Sequence, residues 1–262
     1  MDNYSYKIDN LSTGYDAASS GEGRKLLASG INAQLGAGCL TCLIGVNGAG
    51  KSTLLRTMAG LQPAISGHIE LEGKPLRSYD VRDLSRLVSV VLTDEIPEQA
   101  LTAYELVAMG RIPYTGYWGT LHRRDVRMVE QALAMVGMTD FRHRRLHSLS
   151  DGERQKLMIA KALAQDTDVI LLDEPVAFLD FPSKVWVLRL LSCVAREQGK
   201  SVLLSIHDIE LALQVADCLW LLNGHSFVEG NPRELARQGK IDFLFQGAGI
   251  QFDRETLQYH LT

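Results

Sequence analysis

The chain alternates short apolar runs with longer stretches whose apolar residues recur at helical spacing. Leu40–Ile44, Leu87–Leu92, Val169–Leu172, Ser201–Ser205 and Leu219–Leu222 are nearly continuous apolar segments, the pattern of strands covered on both faces. Tyr4–Ile8 alternates like a half-buried strand, and His68–Leu71 forms another after the turn at Ser66-Gly67. Helical spacing begins at Ser52 and returns in Arg123–Gly137, where Val126, Val129, Leu133 and Val136 share a face and Gly137 suits the C-terminus. Thr102-Ala-Tyr-Glu105 is a capping box that opens a helix to about Met109. Further helices are expected over Ser183–Gln198 and Asp208–Ala216, and another starts at Asn231-Pro232. The stretch 96–148 is helical with no strong strand, so it reads as an insertion in a chain of alternating strands and helices. Residues 16–23 read as a Gly/Ser/Ala-rich loop, Arg111–Gly119 as a loop dense in aromatics, and the tail beyond Gly239 shows no pattern.

With 262 residues, 46% hydrophobic and 22% charged, the chain suits one large α/β domain with ample core. A net charge of −4 without a basic run gives no general pull toward nucleic acid, which is not an expected partner. Cys39-Leu-Thr-Cys42 could be half a metal site, but no second pair completes it, and its place in an apolar strand makes a buried structural role the expectation. The cysteine usage suits a reducing cytoplasm. The N-terminus lacks the basic and apolar regions of a signal peptide, and no apolar run reaches the ~18 residues of a membrane span.

The organising motif is Gly45-Val46-Asn47-Gly48-Ala49-Gly50-Lys51-Ser52-Thr53, a match to G-x-x-x-x-G-K-[ST] between an apolar strand and a helix. Glycines let backbone N–H groups converge on phosphate oxygens, and the helix N-terminus adds its positive dipole end. Lys51 is placed to reach β- and γ-phosphates, and the Ser52 hydroxyl to ligate Mg²⁺. A second motif is the apolar strand Val169–Leu172 ending in Asp173-Glu174-Pro175. Carboxylates at the carboxyl end of a parallel strand face the ligand crevice. There Asp173 can hold Mg²⁺ and Glu174 can polarise an attacking water.

Leu149-Ser150-Asp151-Gly152-Glu153 is a capping box between Ser150 and Glu153 at a helix start. It also resembles the Leu-Ser-Gly-Gly-Gln/Glu signature of the ATP-binding-cassette ATPases, with Asp151 in place of the first glycine. An acidic side chain beside a phosphate site would repel it, so Asp151 is expected to point outward. Ala177-Phe-Leu-Asp180 resembles the family segment that crosses the dimer interface. Ser205-Ile-His207-Asp208 resembles its switch, whose histidine senses the γ-phosphate. The resemblance spans residues 4 to 235. It implies an α/β fold, a P-loop NTPase cassette with a RecA-like core, an N-terminal antiparallel β part and an inserted α-helical subdomain. Within one domain, 1–95 and 155–235 would be the nucleotide-binding core, 96–154 the helical subdomain and 236–262 a C-terminal tail.

The resemblance also implies roles. Glu174 and His207 would be catalytic. Tyr15 would stack on adenine, and Gly45, Asn47, Gly48, Gly50, Lys51, Ser52 and Thr53 would bind the phosphates. Ser150, Gly152, Glu153 and Asp180 would serve the nucleotide of a second copy. Ser52 and Asp173 would hold Mg²⁺, so the cofactors are ATP and Mg²⁺. Where the family places a metal-contacting glutamine after the Leu87–Leu92 strand, this chain has Thr93, followed by Asp94 and Glu95. Thr93 is shorter and would reach a metal through a water; either carboxylate could substitute.

Thr102-Ala-Tyr-Glu-Leu-Val-Ala-Met-Gly-Arg111-Ile-Pro113-Tyr114 resembles the mark T-x-x-E-L-V-x-x-G-R-x-P-[HY] of ATPases serving importers of iron–siderophore, haem and vitamin B12. That resemblance implies a subunit at the cytoplasmic face of the inner membrane. It would pair with a second copy, dock on polytopic permease subunits and act indirectly with a substrate-binding protein. Tyr114, Tyr117 and Trp118 would line or flank the docking groove. The alternative is a soluble cassette ATPase of the iron–sulfur cluster assembly type.

Overall fold

The computed structural model describes residues 4–16, 24–92, 100–224, 226–245 and 250–261. Among them, β1 (Tyr4–Asp16) and β2 (Arg24–Gly36) form an antiparallel pair. Next come β3 (Leu40–Gly45), α1 (Lys51–Met58), β4 (Ser66–Leu71), β5 (Lys74–Pro75), α2 (Val81–Leu87) and β6 (Val88–Val91). Then α3 (Ala103–Ala108), α4 (Arg123–Met135) and α5 (Asp151–Gln165) follow without an intervening strand. The alternation resumes with β7 (Val169–Leu172), α6 (Phe181–Gln198), β8 (Ser201–Ser205), α7 (Ile209–Val215) and β9 (Cys218–Asn223). The chain closes with β10 (Ser226–Gly230), α8 (Pro232–Arg237), β11 (Ile250–Asp253) and β12 (Gln258–Leu261).

Six strands form the central sheet in the order β10-β9-β3-β8-β7-β6, parallel from β9 to β6 with β10 antiparallel at one edge. Its parallel strands are covered on both sides, which is why their sequences run apolar without alternation. Leu40, Cys42 and Ile44 of β3 join Ile170 and Leu172 of β7 and Val202 and Leu204 of β8 in one core, under α5, α6 and α7. The intervening Leu43, Leu171 and Leu203 point the other way, into a second core with Leu54, Leu55 and Met58 of α1. That core is closed by a second sheet, β2-β1-β4-β5, through Tyr6, Ile8, Leu11 and Ile31. Because β3, β8 and β7 are adjacent and parallel, the segments that follow them emerge along one edge, at the carboxyl end of the sheet.

The helices start and stop where their side chains dictate. Thr102 and Ser150 accept from the backbone N–H groups of Glu105 and Glu153, whose carboxylates return to the capping N–H groups. Asp180 caps α6 ahead of Pro182, and Gly199 ends that helix at φ 68°. Asn231 caps α8.

Among the features that differ from the sequence expectation, four stand out. β1 runs on past Ile8 to Asp16, with register shifts that broke its alternation. β2 was not expected at all. The strand foreseen at Leu87–Leu92 is shorter: Leu87 closes α2, which Asp80 caps by accepting the Asp83 N–H, and β6 takes over at Val88. Finally, the patternless tail folds into the β11–β12 hairpin, with Phe252 stacked on Phe245 at 4.7 Å between ring centroids.

Candidate nucleotide site

The turn after β3 carries the glycine motif. Gly48 and Gly50 sit at φ 79° and 97°, where a side chain would strain the backbone. Gly45 is needed for a different reason: a Cβ there would lie 2.2 Å from the Leu222 carbonyl oxygen of β9. A Cβ on Gly50 would come within 3.1 Å of Leu27 Cβ, so β2 lies against this turn. Lys51 opens α1 and is buried, its Nζ donating to the Gly45 carbonyl at 2.9 Å. Burial lowers the Lys51 pKa from its ordinary value, while the Glu174 and Asp173 carboxylates oppose the shift. Those three side chains therefore share one electrostatic site.

The turn after β7 supplies the carboxylates. Asp173 is 1% exposed, with Oδ1 accepting from Ser205 Oγ at 2.7 Å. Its other oxygen, Oδ2, is buried and has no partner among the described residues. An ionised carboxylate oxygen left bare in the interior is costly, and a cation satisfies it. Glu174 adopts φ 48°, a region that costs a non-glycine residue on the order of 1–3 kcal/mol and clusters at functional sites. Its backbone N–H donates to Ser205 Oγ at 2.8 Å, and its Oε1 stands 2.6 Å from His207 Nε2.

The end of β8 and the turn after it thus contribute two groups, Ser205 and His207, and only His207 was given a role from the sequence. Ser205 lay within the switch stretch but was given no role, because a lone hydroxyl ending an apolar strand does not show what it will bond. Its one signal is being polar and fully buried in a run of Val and Leu.

The other expected residues lie further out. Ser150 and Glu153 are engaged with each other at the start of α5, and Ser150 N–H donation holds the Glu153 carboxyl below the usual range. Gly152 is hemmed by the 177–180 segment: a Cβ there would lie 3.2 Å from Leu179 Cδ2 and 3.5 Å from the Phe178 carbonyl. The loop before α5 and the segment ending in Asp180 are therefore one surface. Asp151 points outward, its side chain 69% exposed and ion-paired with Arg154. Asp180 is held below the usual carboxylate range by the Ser183 hydroxyl and N–H. Tyr15, 47% exposed, pairs with Lys25 in β2, the strand whose Leu27 meets Gly50. Asn47 is exposed, and Ser52 and Thr53 half-buried, beside Lys51. Thr93, with Asp94 and Glu95, lies outside the described residues.

The aromatic loop divides in two. Tyr114 lies beneath the Arg111 guanidinium, 3.9 Å from its ring centroid, and is half-buried. Arg111 itself is buried, its Nε donating to Asp125 Oδ1 at 3.0 Å and its Nη1 to the Ala164 carbonyl at 2.8 Å. By contrast, Tyr117 and Trp118 are 96% and 88% exposed and touch edge to face. Among the described residues no His/Cys/Asp/Glu cluster of three can hold a metal, and Cys39 and Cys42 are free thiols.

The ABC transporter family model matches residues 28–177. The iron(3+)-hydroxamate import ATP-binding protein FhuC of Bacillus subtilis is 35% identical over 228 residues, covering 86% of this chain and 84% of its own. The chain belongs to the ABC transporter family. The ferric enterobactin transport ATP-binding protein FepC of Escherichia coli is 32% identical over 226 residues, covering 86% and 83%. Among solved structures, one described as a metal-chelate type ABC transporter in an inward-facing conformation superposes with a TM-score of 0.79 at 27% identity, covering 99% of this chain and 97% of its own. A dimeric transporter cassette shares the fold, with a TM-score of 0.76 at 24% identity and 87% and 98% covered. The chain is an ATP-binding ATPase cassette, as its motifs indicated. No helix among the described residues is long and apolar enough to cross a membrane.

Proposed function

We propose that the chain is the ATP-hydrolysing subunit of an importer for an iron chelate, a siderophore or haem, or for vitamin B12. Its relatives' names and the Gly110-Arg111-Ile-Pro113-Tyr114 stretch support the substrate class. The observation that carries the catalytic part is the bond between Glu174 and His207 beside Lys51 and the half-satisfied Asp173.

Residues 1–95 and 155–235 form the nucleotide-binding core, 96–154 the helical subdomain and 236–262 the tail. Backbone N–H groups of Gly45–Thr53 and the Lys51 ammonium hold the triphosphate, and Tyr15 packs on adenine. Ser52 and the free oxygen of Asp173 are the groups that would hold Mg²⁺, with Thr93, Asp94 or Glu95 taking the place of the family's glutamine. Bound there, the cation neutralises charge on the β- and γ-phosphates. Glu174 accepts a proton from the attacking water, and His207 orients that carboxylate and meets the γ-phosphate. Ser150, Gly152 and Glu153 present a helix N-terminus to the nucleotide of a second copy, with Asp180 at the same interface. Two copies close on two ATP molecules, pull the attached permease subunits, and separate after hydrolysis. A substrate-binding protein delivers the cargo outside, and this subunit sits peripherally on the cytoplasmic face of the cell membrane.

A strain carrying Lys51→Ala is expected to lose ATPase activity and to grow poorly when one of these chelates is the sole iron or B12 source. Normal uptake of all of them, with no duplicate system, would refute the importer reading. Copurification with a soluble complex in place of a polytopic membrane protein would favour the cluster-assembly type.

A further inference from the structure

Ser205 is a fully buried polar side chain to which the mechanism above gives no role. Ser205 ends β8, between the strands that lead to the phosphate loop and to the carboxylates. Its single hydroxyl is used twice. Oγ donates its proton to Asp173 Oδ1 at 2.7 Å and accepts the Glu174 backbone N–H at 2.8 Å. A hydroxyl alone among small side chains can give and take at one atom, so the polarity of this relay is fixed.

Both ends of the relay matter. At Asp173, occupying Oδ1 leaves Oδ2 as the one bare oxygen of a carboxylate that cannot turn without breaking the bond. At Glu174, the N–H bond holds a backbone at φ 48°, which persists only where its surroundings over-determine it. That conformation sends the Glu174 side chain to His207, which lies only two residues beyond Ser205, just past the end of β8.

We propose that Ser205 is a positioning residue for ATP hydrolysis, setting both the cation-facing oxygen of Asp173 and the aim of the Glu174 carboxylate. The proposal rests on the assignment of this site as the hydrolytic centre. Ser205 is fully buried behind Asp173 and Glu174 and acts through these two neighbours.

The test uses the full-length chain with Ser205→Ala, Ser205→Thr and Lys51→Ala. Three quantities are measured: kcat and KM for ATP, the Mg²⁺ concentration that half-saturates binding of a fluorescent ATP analogue, and the melting temperature. Ser205→Ala removes one oxygen and adds no volume, and its melting temperature shows whether the fold is kept. It is expected to lower kcat about ten- to a hundredfold, the scale of a hydrogen bond to a charged group, with KM changed less than about threefold. The half-saturating Mg²⁺ concentration should rise about tenfold. Ser205→Thr keeps the hydroxyl and should restore most of both. Wild-type kcat and Mg²⁺ dependence in Ser205→Ala would overturn the proposal. So would a Ser205→Thr protein as impaired as Ser205→Ala with the same fall in melting temperature, since that marks a packing position. Should Lys51→Ala itself retain full ATPase activity, the assignment of the site fails; if only Ser205→Ala is silent, the role of Ser205 alone is lost.

Discussion

His207 Nε2 and Glu174 Oε1 are 2.6 Å apart, although the two residues are separated by the whole of α6 and β8. The contact exists because β7 and β8 are adjacent and parallel, so the turns that follow them open side by side. A hydrogen bond of that length orients both side chains. Glu174→Gln keeps size and hydrogen-bonding capacity but removes the base. It should cut kcat by about 10²–10⁴ while ATP binding persists. His207→Ala should cut kcat by a comparable factor. Steady-state hydrolysis and nucleotide titration check both, and a His207→Ala enzyme with wild-type kcat would detach His207 from the reaction.

How much of this was legible before the structure depends on how local each signal is. The glycine motif, Asp173-Glu174 and the two capping boxes are decided within a few neighbouring residues, and each fell where the sequence put it. β3, β7, β8 and β9 were legible because two covered faces leave no polar interruption. β2 was not, since Ser29, Gly30 and Asn32 interrupt its apolar residues and Gly30 turns to φ 66°. Leu87 belongs to the apolar run by chemistry but to α2 by hydrogen bonding, and composition cannot separate the two. The role of Ser205 was illegible for the opposite reason. Its meaning lies wholly in what another strand brings beside it.

Asp151 is a departure from the family signature that the structure makes harmless. Its side chain is exposed and paired with Arg154 on its own helix, so it leaves the loop's backbone donors free to face outward. Surface pairs of this kind are worth about 0–1 kcal/mol. Asp151→Gly, which restores the common signature, should leave melting temperature within a few degrees and ATPase activity within about threefold. A tenfold gain in activity would show that Asp151 repels the nucleotide after all.

The Arg111–Asp125 pair ties the Met109–Tyr114 turn to α4, and the same guanidinium reaches the carbonyl end of α5. Burial alone would raise the Asp125 pKa, but the His122 N–H and Arg111 hold it below its ordinary value. A depressed carboxyl contributes stability above its unfolded value, near 3.9, and loses it as pH falls through the folded value. Asp125→Asn leaves Arg111 buried without its counter-charge, at a cost of about 3–5 kcal/mol. Denaturant melts of the variant at neutral pH should show that loss, and the difference from wild type should shrink as pH falls below about 4. An unchanged midpoint would mean that the hydrogen bonds of Arg111 to Ala164 and Gln165 suffice to hold the turn.

Tyr117 and Trp118 stand clear of this buried joint, nearly fully exposed, at the tip of the stretch whose Arg111 and Tyr114 are packed inside. Two large aromatics presented together have little to do for the fold of this chain, and paired aromatics are common anchors at protein interfaces. Replacing both by alanine should leave melting temperature and the ATPase activity of the isolated subunit within about twofold, since surface changes rarely exceed 0.5 kcal/mol. The same protein should copurify with its permease at least tenfold less well, the effect of losing about 1.4 kcal/mol of binding. Measuring both properties on one preparation separates docking from folding. Undiminished copurification would move the docking surface elsewhere on the helical subdomain, while a collapse of ATPase activity in the isolated subunit would show that the aromatics serve the nucleotide site instead.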